Sequence, residues 1–80
     1  MDRRYAIDHE PTPEDVAHLL RSSGVTNREA ATLVHVSLLT VRSWVRYEGS
    51  ASNRQMPLAA WELLLLKLGA HPTHTLKERG

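Results

Sequence analysis

Four stretches of the chain place apolar residues at helical spacing, with polar turn formers between them. In "TPEDVAHLLRSSG", Val16, Leu19, Leu20 and Ser23 recur at the intervals of one helix face. Thr12 is a capping residue, Pro13 fits a first turn that needs no N–H, and Glu14 and Asp15 favour the positive end of the helix dipole. Gly24 supplies a left-handed stop. A second helix opens at "TNRE", whose Thr26 and Glu29 have the spacing of a reciprocal capping box, and should run from about Asn27 to Val34. It would bury Ala30, Leu33 and Val34 and pack closely through Ala31. His35 then stands where a left-handed residue is required, a role histidine tolerates better than most.

Ser37 caps a third helix expected to end near Tyr47, and this helix carries two stripes. Val41, Trp44 and Val45 have the spacing of a core face, while Leu39, Arg42, Ser43 and Arg46 repeat that spacing on the other side. A solvated stripe rarely keeps a leucine between arginines, and a core stripe does not keep two arginines. The loop "EGSASNRQM" follows, and Pro57 starts a fourth helix. Trp61, Leu64, Leu65 and Leu68 form one of its stripes, and Ala59, Leu63 and Leu66 form another. A helix that is apolar on two sides must be covered on two sides. The other helices give one cover, and a second copy of the chain is the simplest source of the other.

The pattern therefore predicts an all-α bundle of four to five helices over residues 12–69. Residues 57–69 serve as a dimerisation helix, with Ala59, Leu63 and Leu66 at the interface. Residues 1–11 have no apolar period and read as a flexible arm, and residues 70–80 read as a polar tail.

Composition narrows the functional classes. Eighty residues allow one domain with a modest core, which ordinarily needs a disulfide, a metal or a partner subunit to support it. The chain has no cysteine, which excludes disulfides and thiolate metal sites and fits a reducing cytoplasm. Its longest apolar run is broken by Glu62 and Lys67, and "MDRRYAIDHEP" has no apolar segment of the secretory kind, so a cytoplasmic protein without a membrane span is expected. The net charge of +1 conceals an asymmetry: residues 21–54 hold five arginines against two glutamates, and the flanks are acidic. A basic middle of this kind suits a phosphate-bearing partner. "HPTH" (His71 to His74) resembles a ligand pair, but a metal site needs about three protein ligands and no third has a clear spacing. No nucleophile and base pair, glycine-rich phosphate loop or acid pair is readable, so neither an enzyme nor a cofactor is expected.

Two short helices joined by a tight turn, the second capped by serine, are the parts of a helix-turn-helix. "TNREAATLVHVSLLTVRSW" resembles the helix-turn-helix of the lambda-repressor or Xre-like class. Ala31, Val36, Ser37, Val41 and Trp44 fall where that class keeps its small packing residue, turn hydrophobe, cap and core positions. His35 departs from the glycine usual there. The wider layout, with its terminal "MPLAAWELLLLKLG" helix, is similar to small plasmid-borne repressors of the KorC type and to the anti-CRISPR-associated repressors of phages.

The resemblance implies a transcriptional repressor that binds a palindromic double-stranded DNA operator as a homodimer, with the third helix in the major groove, in a bacterial cytoplasm. It admits a co-repressor protein as a further partner. It implies base contacts from Ser37, Leu38, Leu39 and Thr40 at the start of that helix, and phosphate contacts from Asn27 and Arg28. Arg42, Ser43 and Arg46 complete the outer face, since arginine pairs with guanine and an apolar side chain such as Leu39 can meet the thymine methyl. Some positions stay open. Leu38 lies near the edge of the inner face, Asn27 and Arg28 are also ordinary helix-start residues, and Arg54 with Gln55 either grips phosphate or belongs to the loop. Arg3 and Arg4 either follow the minor groove or stay free. A different class of function, a protein-interaction module of the antitoxin-like or RNA-polymerase-contacting kind, would also use an apolar fourth helix.

Overall fold

The computed structural model describes residues 5–46 and 49–70, and among these it holds four helices and no strand. They are α1 (Pro13–Ser23), α2 (Asn27–Leu33), α3 (Leu38–Val45) and α4 (Leu58–Lys67). This is the small all-α bundle that the apolar spacing predicts. Tyr47, the expected end of the third helix, lies outside the described residues, as do Arg3, Arg4 and His71 to His74.

The helix starts follow from single side chains. Thr12 Oγ1 accepts the Asp15 N–H at 3.1 Å while the Asp15 carboxylate accepts the Thr12 N–H at 3.1 Å, so α1 opens with a full capping box as well as an acidic first turn. Thr26 and Glu29 make the same reciprocal pair on α2, at 3.1 and 2.9 Å. Ser37 Oγ accepts the Thr40 N–H at 3.1 Å and starts α3. On α4 Pro57 is the cap residue itself, in an extended conformation with no side-chain cap bond, so the helix starts one residue later than expected.

Three of the four helix ends share one device. Left-handed residues stand at Gly24, His35 and Gly69, with φ of 67°, 61° and 71°. In each case the following N–H reaches back five residues: Val25 to the Leu20 carbonyl at 2.9 Å, Val36 to Ala31 at 3.0 Å, and Ala70 to Leu65 at 2.8 Å. The bonds satisfy carbonyls that a helix end leaves orphaned, and the apolar residue after each turn folds back onto the bundle. Ala70 is thus part of the last turn of the bundle rather than of the tail.

The core gathers Val16, Leu19 and Leu20 from α1, Ala30, Ala31 and Val34 at α2, Val41 and Trp44 from α3, and Trp61, Leu64 and Leu65 from α4. Leu33, Val45 and Leu68 are only half-buried against it, and Ser23, expected on the inner face of α1, is exposed. Ala30 and Ala31 leave room for α2 to lie close to α3. Two residues outside the helices complete the core. Met56, at the end of the loop, is buried, and so is Tyr5.

Tyr5 overturns the expectation of a free arm for residues 5–11. Its ring meets Trp61 edge-on, with centroids 5.5 Å apart, and its hydroxyl lies 2.6 Å from His18 Nδ1. Trp61 is 1% exposed, so its indole N–H needs a partner inside the protein. It donates to the Ala6 carbonyl at 2.9 Å. The segment has no apolar period because it is not a regular element, and its Tyr5, Ile7 and Pro11 pack one at a time.

His35 allows a direct check of the turn before α3. A side chain in the left-handed region is strained relative to glycine, by about 1–2 kcal/mol, and this exceeds the extra chain entropy that glycine loses on folding. His35→Gly should therefore stabilise the protein by about 0.5 kcal/mol, whereas β-branched His35→Val should destabilise it by about 2 kcal/mol. Urea denaturation monitored by tryptophan fluorescence measures both.

Candidate nucleic-acid interface

The turn from α2 to α3 fixes what α3 shows to solvent. With Val41 and Trp44 anchored in the core, Leu39 and Arg42 point outward, three residues apart on one face. Leu39 is 73% exposed and is the one exposed large hydrophobic side chain among the described residues. Leu38 and Thr40 are half-buried beside it.

The hydroxyls expected on this face are committed to the helix. Ser37 Oγ lies 2.9 Å from Thr40 Oγ1 in addition to its cap bond, and Ser43 Oγ donates to the Thr40 carbonyl at 2.6 Å. Arg46 departs from the predicted stripe. The helix ends at Val45, and Arg46 is the extended residue after it, with ψ of 145°. Its guanidinium is exposed, but helical spacing does not set its direction.

Arg28, Arg42 and Arg46 are all exposed, and none forms an ion pair among the described residues. Asn27 is half-buried at the start of α2, next to Arg28. Next to Arg28, Glu29 is turned to the helix start. The Thr26 N–H and then the Thr26 hydroxyl hold its carboxyl below the ordinary value of 4.5. With no ion pair to these arginines among the described residues, the face carries exposed positive charge of the kind that attracts a polyanion. An open groove of about 410 Å³, lined by Val25, Arg28, Glu29, Thr32 and Leu33, runs along α2.

The end of α3 is closed by the loop after it. Asn53 Nδ2 donates to the Ser43 carbonyl at 3.0 Å and to the Arg46 carbonyl at 2.9 Å, and the Arg54 N–H donates to Ser43 at 3.1 Å. Where the other helix ends use a left-handed turn, this one is held by a side chain from seven to ten residues on. The Arg54 guanidinium folds onto the Ala51 and Asn53 carbonyls at 3.3 and 3.0 Å, leaving it exposed but tethered. Gln55 donates to the Pro11 carbonyl at 2.9 Å and so ties the loop to the start of α1. Its amide is spent on the fold, whatever else it meets. The contacts made by Asn53, Lys67 and Met56 were not predicted from the sequence. The turn composition around Asn53 hinted at a loop but not at a cap.

No family model matches the chain, and no curated protein matches it significantly. The site is thus defined by its own geometry.

On α4 the second stripe is only partly free. Ala59 is exposed, Leu66 is half-buried, and Leu63 is half-buried against the protein's own core. Lys67 Nζ donates to the Leu33 carbonyl at 2.6 Å, capping α2 from the last turn of α4. Among the described residues no group of three metal-ligating side chains assembles, and no helix is long and apolar enough to cross a membrane.

The capping pair on α2 has a pH signature. A carboxyl whose folded value is depressed contributes stability that is fully present above its unfolded value and is lost as the pH falls through the folded one. The stability gap between wild type and Glu29→Ala should therefore be constant above the ordinary 4.5 and close below it. Thermal melts of both proteins in a series from about pH 7 to about pH 3 read this out, and a gap that persists at the acid end would contradict it.

Proposed function

We propose that the chain is a sequence-specific DNA-binding repressor that docks α3 in the major groove and binds a palindromic operator as a homodimer. The observation that carries the reading is the pairing of exposed Leu39 with Arg42, which is exposed and forms no ion pair among the described residues, on the outer face of a short, serine-capped helix. Guanine presents two acceptors to an arginine fork, and thymine presents a methyl group to an apolar side chain, so this pair of residue types matches the chemistry of base edges. Exposed Arg28 and Arg46 on the same unit supply charge for phosphates. Leu66 and Ala59 supply the apolar surface for a second copy, and a twofold pair would set two α3 helices about 34–36 Å apart, one turn of DNA.

Gel shifts on a library of random palindromic duplexes, repeated over a salt series, test the reading. A discrete complex whose affinity falls steeply with salt is expected. No complex at low salt would overturn it and favour the protein-interaction module.

Two arginines should separate base contact from phosphate contact. Arg42→Ala should lose about 1–3 kcal/mol on the selected site and much less on unrelated DNA. Arg28→Ala should weaken all sequences alike and flatten the salt slope by about one contact. Equal losses for Arg42→Ala on both DNAs would move it to the backbone.

The partner copy is tested on α4. Leu66→Glu should give a monomer with weak operator binding and unchanged helicity, because Leu66 is outside the buried cluster. Leu63→Glu should also lower stability, since Leu63 packs against that cluster. Sedimentation of the wild type as a monomer at tens of micromolar would remove α4 from the interface.

A further inference from the structure

Seven residues lie at or near the outer side of α3, and the structure accounts for five of them elsewhere. Ser37 and Thr40 are joined hydroxyl to hydroxyl at 2.9 Å, and Ser37 also holds the Thr40 N–H. The pair keeps one O–H for a phosphate or a water, and turning either oxygen to a base would draw it from the cap. Ser43 Oγ is committed to the Thr40 carbonyl at 2.6 Å. Leu38 is half-buried, and Arg46 has left the helix with its carbonyl held by Asn53. Leu39 and Arg42 remain, both exposed and with no competing polar contact among the described residues.

We propose that Leu39 and Arg42 together carry the base readout of α3, Leu39 against a thymine methyl and Arg42 as a fork on a guanine within two base pairs of it. The proposal rests on the DNA-binding reading and adds to it which bases are read and by what. Residues three apart on a helix have Cβ atoms about 5–6 Å apart, and successive bases on a strand rise about 3.4 Å, so the two side chains reach neighbouring or next-neighbouring pairs. The positive charge of Arg42 on the same face, with no ion pair among the described residues, favours a polyanionic groove over an apolar protein surface as the cover for Leu39. The methyl is the feature that distinguishes thymine from every other base in that groove for a side chain with no hydrogen-bonding group.

The test isolates the methyl. Operators are first enriched from random duplex DNA by the wild-type protein. Each thymine of one half-site is then replaced in turn by deoxyuridine, which removes the methyl and keeps the pairing. One thymine position should weaken wild-type binding about fourfold, the weight of one buried methyl group, and its neighbours should not. Leu39→Ala should bind the thymine and deoxyuridine operators equally, while Arg42→Ala, though weaker throughout, should keep the methyl effect at that position. Leu39 is 73% exposed, so its truncation leaves the core intact. An enriched operator with no methyl-sensitive position, or a Leu39→Ala protein that keeps the full methyl effect, overturns the inference and leaves DNA binding standing. Failure to enrich any sequence overturns both.

Discussion

The left-handed turn at His35 is the constraint on which the rest of the structure depends. With φ at 61° it reverses the chain in one residue, and the Val36 N–H bond to the Ala31 carbonyl locks that reversal. The angle between α2 and α3 follows from it, and so does the direction of every side chain on α3. Val41 and Trp44 turn into the core, and Leu39 and Arg42 turn out. A chain of this size has no disulfide to hold two short helices in register, so the turn must do it through backbone hydrogen bonds and the packing of Ala30 and Ala31.

The end of α3 is held differently. Closing it with Asn53 rather than with a further left-handed turn lets the chain leave the helix extended at Arg46 and brings the loop of Arg54 alongside. Gln55 then ties that loop to Pro11, and Met56 plugs it into the core. Each joint is a single side chain, and each removes freedom from the frame that presents Leu39 and Arg42. The N-terminal segment does the same on the far side, where Tyr5 and the Ala6 carbonyl complete the surroundings of Trp61.

The helices were legible because their signals are local. Thr12, Thr26 and Ser37 act within three residues of themselves, and Gly24 and His35 within six. The outer face of α3 was legible for the same reason, as two stripes on one helix. What escaped the sequence joins residues far apart through one contact: Trp61 to Ala6 across 55 positions, Gln55 to Pro11 across 44, and Lys67 to Leu33 across 34. No periodicity announces such contacts. Arg46 escaped for a nearer cause. A stripe drawn at helical spacing assumes that the helix continues, and the carbonyls of its last turn were claimed by Asn53 instead.

The turn at His35 sets the direction of Leu39 and Arg42, the face proposed to read the major groove. Guanine N7 lies on the major-groove edge, and its methylation blocks an arginine fork without disturbing the base pairing. Methylation interference on an enriched operator is the most direct test. The account predicts that N7 methylation excludes DNA from the complex at guanines in two clusters about 34–36 Å apart, one for each copy of α3. A specific complex that tolerates N7 methylation at every guanine would contradict it.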